Sequence, residues 1–167
     1  TKNIIKLIMH NKTKYPEIKF IVAPHEISNQ HLKDIEKLFK NTTRYSVLQG
    51  LVEINEMKEN VLIIDNIGML SKLYAYGDIC YVGGGFGGDG IHNILEAAVY
   101  GKPVIFGPVY DKYREAHELL DTGGAISVES AVELETVLNE LLENQELLLR
   151  KGNNAREYVY QQAGATK

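Results

Sequence analysis

Short apolar runs alternate along the chain with stretches in which apolar residues recur at every third or fourth position. Strand-length runs stand at 20–23, 45–48, 61–64, 79–82, 103–106 and 125–128. The plainest is Phe20-Ile21-Val22-Ala23, which stops at Pro24. Helical spacing appears over 31–39, where Leu32, Ile35, Leu38 and Phe39 share a stripe and Ser28 or Asn29 is placed to cap it. Further helices are predicted at 3–11, 70–76, 92–100, 113–121, 130–150 and 153–161, the fifth opened by a Ser130–Glu133 capping box. Strands that alternate with helices in this way build a parallel sheet covered by helices, so the expected class is α/β. A doubly wound sheet of this kind has a strand ahead of the helix at 3–11, and none is visible, so a trimmed first strand is expected.

A length of 167 residues suits one ordinary domain, and the whole of 1–167 is read as such. Hydrophobic residues make up 44% and charged residues 24%, which excludes a disordered polar chain. The formal net charge of -4 lacks the basic footprint of a nucleic-acid binder. One cysteine, Cys80, rules out an internal disulfide framework and lies in an apolar run, as a small core residue does. No apolar stretch approaches the roughly 18 residues of a membrane helix. The chain starts at Thr1 and ends on Gly164-Ala165-Thr166-Lys167, and it is read as a fragment of a longer protein.

The segment from Val82 to Glu96 carries the most chemistry. Six glycines stand within the eight residues 83–90, between a predicted strand and a predicted helix. Glycines remove the Cβ atoms that block close approach, and a helix start offers unpaired N–H groups, so the pair suits a bound phosphate. Gly83, Gly85 and Gly88 formally match the dinucleotide fingerprint, but so dense a cluster satisfies many patterns. The acid that such a site wants after the next strand is absent at Phe106-Gly107-Pro108. No Gly-Lys-Ser/Thr follows, which excludes a Walker loop. A plain flexible turn is the remaining alternative.

Beyond the glycines, His92, Asn93 and Glu96 fall in the first turns of the predicted helix, with Asn93 and Glu96 on one face. A carboxylate one turn behind a phosphate site can accept both ribose hydroxyls; as an alternative, Glu96 is simply an acid favoured at a helix start. His92 and Glu96 could ligate a metal only with a third ligand, and none is in sight, so no metal is expected. The segment 110–114 after Gly107-Pro108 is read either as facing a sugar or as a solvated helix start. The mid-helix His117 is read as packing or pointing to solvent.

These motifs together resemble the donor domain of GT-B glycosyltransferases, and among them the Kdo (3-deoxy-D-manno-octulosonic acid) transferases. The resemblance rests on 73–84, on Gly90-Ile91-His92-Asn93-Ile94-Leu95-Glu96-Ala97-Ala98 and on 101–108. Upstream, Asp65-Asn66-Ile67-Gly68-Met69-Leu70 resembles "DTMGEL", Arg44-Tyr45-Ser46 resembles "RRS", and Pro24-His25-Glu26 a shortened "PRHPER". The resemblance implies a Rossmann-like doubly wound sheet with helices on both faces, the C-terminal half of a two-domain GT-B fold. It implies CMP-Kdo as donor substrate, a lipid A precursor as acceptor, inversion at the transferred carbon, no cofactor and no metal.

By motif position, Gly84, Gly85, Gly88, Gly90, His92 and Asn93 would hold the phosphate and Glu96 the ribose. Ile67, Gly68 and Met69 would line the base pocket, and His25, Arg44 and Ser46 would lie near the phosphate or the sugar carboxylate. The catalytic base is expected in the other, N-terminal half, as are the acceptor and any association with the cytoplasmic face of the inner membrane; the fragment itself is expected to be inactive. Departures are visible too. "GGS" reads Gly83-Gly84-Gly85, "GGHN" reads Gly90-Ile91-His92-Asn93, the proline after the ribose acid is Ala97, and the Glu of "DTMGEL" is Leu70. Rival readings are a UDP-sugar transferase or epimerase of the same fold, and a dinucleotide-binding module without catalysis.

Overall fold

The structure is a computed structural model that describes residues 13–39, 41–48 and 58–165. The helix predicted at 3–11 lies outside the described residues. The chain divides into two compact units, Thr1–Leu70 and Ser71–Lys167, each with its own three-stranded parallel sheet.

In the first unit the strands are β1 (Phe20–Val22), β2 (Thr42–Arg44) and β3 (Val61–Ile63), in the order β1-β3-β2. β3 is central, pairing Val61, Leu62 and Ile63 with both neighbours, and all three are buried. Helix α1 (Asn29–Leu38) starts at Ser28, whose hydroxyl accepts the His31 N–H, which selects Ser28 from the two predicted caps. Its stripe Leu32 and Ile35, with Phe39, packs against Val61 and Ile63.

The strand predicted at 45–48 is displaced. β2 occupies 42–44, and Tyr45–Leu48 forms a single helical turn, α2. The cause lies in the register. Arg44 pairs with Ile63, so Ser46 stands opposite Asp65, two residues beyond on each strand. There the Asp65 carboxylate accepts the Ser46 N–H at 2.9 Å and the Ser46 hydroxyl at 2.5 Å. A side chain thus replaces the next rung of the ladder, and the chain turns.

In the second unit β4 (Cys80–Val82), β5 (Val104–Phe106) and β6 (Ala125–Ser127) run parallel in sequence order with β5 central. Val104, Ile105 and Phe106 are all fully buried. α3 (Leu70–Leu73) and a 3-10 turn (Tyr74–Tyr76) precede β4, as the helix predicted at 70–76. α4 (Leu95–Ala98) follows the glycine loop, and α5 (Arg114–Asp121) follows β5 and packs on β6. The predicted 130–150 helix is broken. α6 (Ala131–Glu143) ends at Asn144, and α7 (Gln145–Ala165) begins there, with the Asn144 side chain accepting the Leu147 N–H at 3.0 Å. A residue that caps the following helix is poorly placed to continue the preceding one. At the start of α6, Ser130 accepts the Glu133 N–H, but the Glu133 carboxylate reaches back to the Glu129 N–H, one residue short of a closed capping box.

The expected α/β, Rossmann-like class is therefore present as two parallel sheets with helices around them. Cys80 belongs to the core of the second unit, where burial pushes its thiol up to about 11. No helix among the described residues is long and apolar enough to cross a membrane.

Candidate functional site

The glycine loop leaves the C-terminal end of β4, the end at which parallel sheets present ligand-binding loops. Its glycines answer to sterics. Gly84 and Gly90 have φ of +94° and +81°, and a Cβ on Gly84 would stand 2.3 Å from the Gly90 carbonyl oxygen. A Cβ on Gly85 would stand 2.7 Å from the backbone of Gly107, beyond the end of β5. Two turns shape the loop, with Gly87 N–H donating to the Gly84 carbonyl at 3.0 Å and Gly90 N–H to the Gly87 carbonyl at 3.5 Å. The plain flexible turn is thereby disfavoured: a flexible stretch has no need of such close backbone approach. The N–H groups of Gly88 and Asp89 have no protein acceptor among the described residues. Unspent donors on an exposed loop are available to an anion.

The helix behind the loop is shorter than predicted. Its hydrogen-bonded turn starts at Leu95 instead of His92, and it spans four residues. The reason is local: Asn93 Oδ1 accepts the Leu95 N–H at 3.1 Å, a bend in which Asn competes with helix. So short a helix has a small dipole, and the loop amides carry more of any phosphate binding than the predicted helix start implied. The same bend aims the other half of the Asn93 amide at Glu96, with Nδ2 donating to Oε1 at 3.1 Å. The predicted pairing of Asn93 and Glu96 is present, through a turn that precedes the helix. Glu96 is half-buried and Asn93 exposed, so the carboxylate is oriented and still reachable. His92 is exposed, and its N–H closes the loop's base on the Gly83 carbonyl at 3.0 Å. Nearby, burial, helped by Cys80 and Glu96, lifts the Tyr74 phenol to about 12.

Facing the loop's far end is the segment after β5. Gly88, Asp89 and Gly90 line a shallow depression together with Val109, Lys112 and Tyr113. The Tyr113 hydroxyl donates to the Asp89 carbonyl at 3.0 Å. Tyr110 packs edge-on to Phe106 and to His117, and His117 is exposed, so its ring lies against Tyr110 with one side open to solvent. Of the two readings of 110–114, the structure thus places Lys112 and Tyr113 beside the glycine loop. Only their position six and seven residues past Phe106 hinted at it.

In the first unit, Arg44 does not stand open to solvent. Its Nε and Nη2 both donate to the Glu36 carboxylate, at 2.6 and 2.9 Å, and this pairing holds Glu36 below its ordinary range. An anion would compete with Glu36 for this guanidinium. Ser46 is held by Asp65. Burial raises the Asp65 pKa, but the two Ser46 bonds and Arg44 outweigh it and leave the carboxyl low. Neither Glu36 nor Asp65 stood among the predicted site residues; the packing of α1 beside β2 reveals the first and the β2–β3 register the second. Ile67 is 87% exposed, Gly68 turns the chain at φ +88°, and Met69 Sδ accepts the Asn66 amide at 2.9 Å. His25 is exposed. Ile67, Gly68, Met69, His25, Arg44 and Ser46 belong to the first unit, and the glycine loop with Asn93 and Glu96 to the second. Among the described residues no three His, Cys, Asp or Glu side chains converge.

No family model matches the chain. Individual relatives do. Over 141 residues, 83% of this chain, it is 35% identical to a 3-deoxy-D-manno-octulosonic acid transferase of Aquifex aeolicus, of which it covers 38%. Over 76% of the chain it is 34% identical to a bifunctional glycosyltransferase/methyltransferase of Fusobacterium nucleatum, of which it covers 21%. The fold matches the crystal structure of the C-terminal CMP-Kdo binding domain of WaaA from Acinetobacter baumannii, with a TM-score of 0.82 and 24% identity over 96% of this chain and 82% of that one. The chain is thus a homologue of the Kdo transferases, and it spans about a third of the length of the transferases it matches.

Proposed function

We propose that this homologue of the Kdo transferases is the part of a glycosyltransferase that binds the CMP-Kdo donor. The observation that carries the reading is the Asn93–Glu96 pair set behind a glycine loop with unspent N–H groups. Loop amides suit the phosphate, and the oriented Glu96 carboxylate suits the two ribose hydroxyls. As the bond from the sugar to the phosphate breaks, negative charge grows on the departing CMP. Donors already fixed at that phosphate stabilise it without reorganising. In the same proposal Ile67, Gly68 and Met69 attend the base, and His25, Arg44 and Ser46 the phosphate or sugar carboxylate. These roles rest on the motif resemblance.

For the whole enzyme the proposal extends to transfer of Kdo onto a lipid A precursor, with inversion and without a metal, at the cytoplasmic face of the inner membrane. The acceptor hydroxyl would be activated from outside this chain. The chain alone should then bind the donor and transfer nothing, so turnover of CMP-Kdo by the isolated chain would overturn this part.

Calorimetric titration with CMP, UMP, UDP and NAD, repeated on Glu96→Ala, tests the site. CMP should bind most tightly, and the substitution should weaken it by about 1–3 kcal/mol, as expected when a polar group loses its partner. Tightest binding of UDP would move the donor to a diphosphate sugar, and tightest binding of NAD would make the chain a dinucleotide module. Unchanged CMP affinity in Glu96→Ala would remove Glu96 from the ribose.

A further inference from the structure

The glycine loop is tied down in two places, and both ties come from the segment after β5. At its start Gly85 lies against Gly107, and its carbonyl accepts the Val109 N–H at 2.9 Å. At its end the Tyr113 ring lies flush on Gly90, so close that a Cβ there would stand 2.7 Å from the ring edge. The Tyr113 hydroxyl donates to the Asp89 carbonyl at 3.0 Å, and Tyr113 is itself anchored by its N–H on the Tyr110 carbonyl at 2.9 Å. Between the ties the tip is exposed.

We propose that Tyr113 is a positioning residue that holds the Asp89–Gly90 peptide so that the loop presents its unspent N–H groups to the donor's phosphate, which rests on the donor-site reading above. The Asp89 carbonyl and the Gly90 N–H share one peptide plane. On the N–H side that plane is held by a long 3.5 Å bond to Gly87, whereas the Tyr113 hydroxyl grips the carbonyl side at 3.0 Å. Glycine at 90 offers little resistance to rotation of that plane. Removing the hydroxyl leaves the ring packed on Gly90 but frees the plane to turn. The loop then samples shapes that binding must select against, and affinity falls by the cost of ordering it.

The test compares the chain with Tyr113→Phe and with Tyr110→Phe, whose ring meets Phe106 and His117. In Tyr113→Phe, CMP should bind about fivefold more weakly, the size of one lost neutral hydrogen bond. The amides of Gly87 and Gly90 should exchange with solvent faster in the free protein, and that excess should vanish at saturating CMP. Tyr110→Phe should leave both readouts in place. Wild-type affinity in Tyr113→Phe overturns the proposal. So does weakened binding with unchanged loop exchange, which would make Tyr113 a direct ligand contact. If the unsubstituted chain binds no CMP, the donor-site reading fails instead, and exchange in the free protein still decides whether Tyr113 holds the loop.

Discussion

Single side chains in this chain do their work in pairs. Asn93 both bends the backbone into α4 and aims Glu96; its two amide ends serve structure and site at once. Arg44 and Glu36 form a two-pronged ion pair that ties the end of β2 to α1. Its pH dependence has a definite sign. Bonding to Arg44 holds Glu36 below its ordinary 4.5 when folded, so the unfolded chain binds that proton more readily. The stabilisation is complete above the unfolded value and is lost as pH falls through the lower folded one. Urea denaturation of the chain and of Glu36→Gln, from about pH 6 to about pH 3, should show a stability gap that closes with acid. A gap that stays constant would mean that the pair contributes nothing through its charge. Glu96 was legible from its place behind the glycines. Glu36 as the partner of Arg44 was not, because the two meet through folding and not through a motif.

At the level of elements, the helices and strands follow from periodicity wherever their ends are set by local chemistry. Ser28 caps α1 and Ser130 caps α6, both from short-range hydroxyl–amide bonds that a sequence displays. Ends set by distant partners were misread. Tyr45–Leu48 turned helical because Asp65, 19 residues from Ser46, takes the next rung. The break between α6 and α7 is a local exception, because Asn144 caps Leu147 three residues on while the apolar spacing runs on through it. Gly152 sits inside α7, where alanine would ordinarily stabilise a helix by about 1 kcal/mol. Here a Cβ would stand 2.2 Å from the Gly101 carbonyl oxygen, in backbone that cannot simply swing aside. Gly152→Ala should therefore destabilise the fold by about 1–3 kcal/mol, as overpacking does. An increase in the urea midpoint would show that Gly101 yields and that helix propensity wins.

Across the whole molecule each unit carries its own core. Leu32, Ile35, Phe39, Val61 and Ile63 form one, and the larger second gathers β4 and β5 with α4, α5 and α7 around Phe106. Phe106 is fully buried and meets Tyr110 edge-on at 5.4 Å between ring centres. It stands one residue before Gly107, on which the glycine loop rests, so its packing supports the loop as well as the fold. Phe106→Ala should cost about 3–5 kcal/mol, a large share of the roughly 5–15 kcal/mol that holds a domain together. Thermal or urea unfolding measures it, and a loss below about 1 kcal/mol would show that the core closes over the gap.

By itself the sequence determined the α/β class, the order of strands and helices, and the place of the glycine loop with Asn93 and Glu96 behind it. These depend on interactions between residues a few positions apart, which periodicity, caps and motif spacing expose. Only the tertiary structure decided that β3 and β5 are the central strands, that Arg44 is taken by Glu36, and that Tyr113 closes on the loop across 23 residues of chain from Gly90. The physical reason is common to most of these. A hydrogen bond between distant residues exists only once packing has brought donor and acceptor together, and nothing in the local order of residues announces which partner that will be.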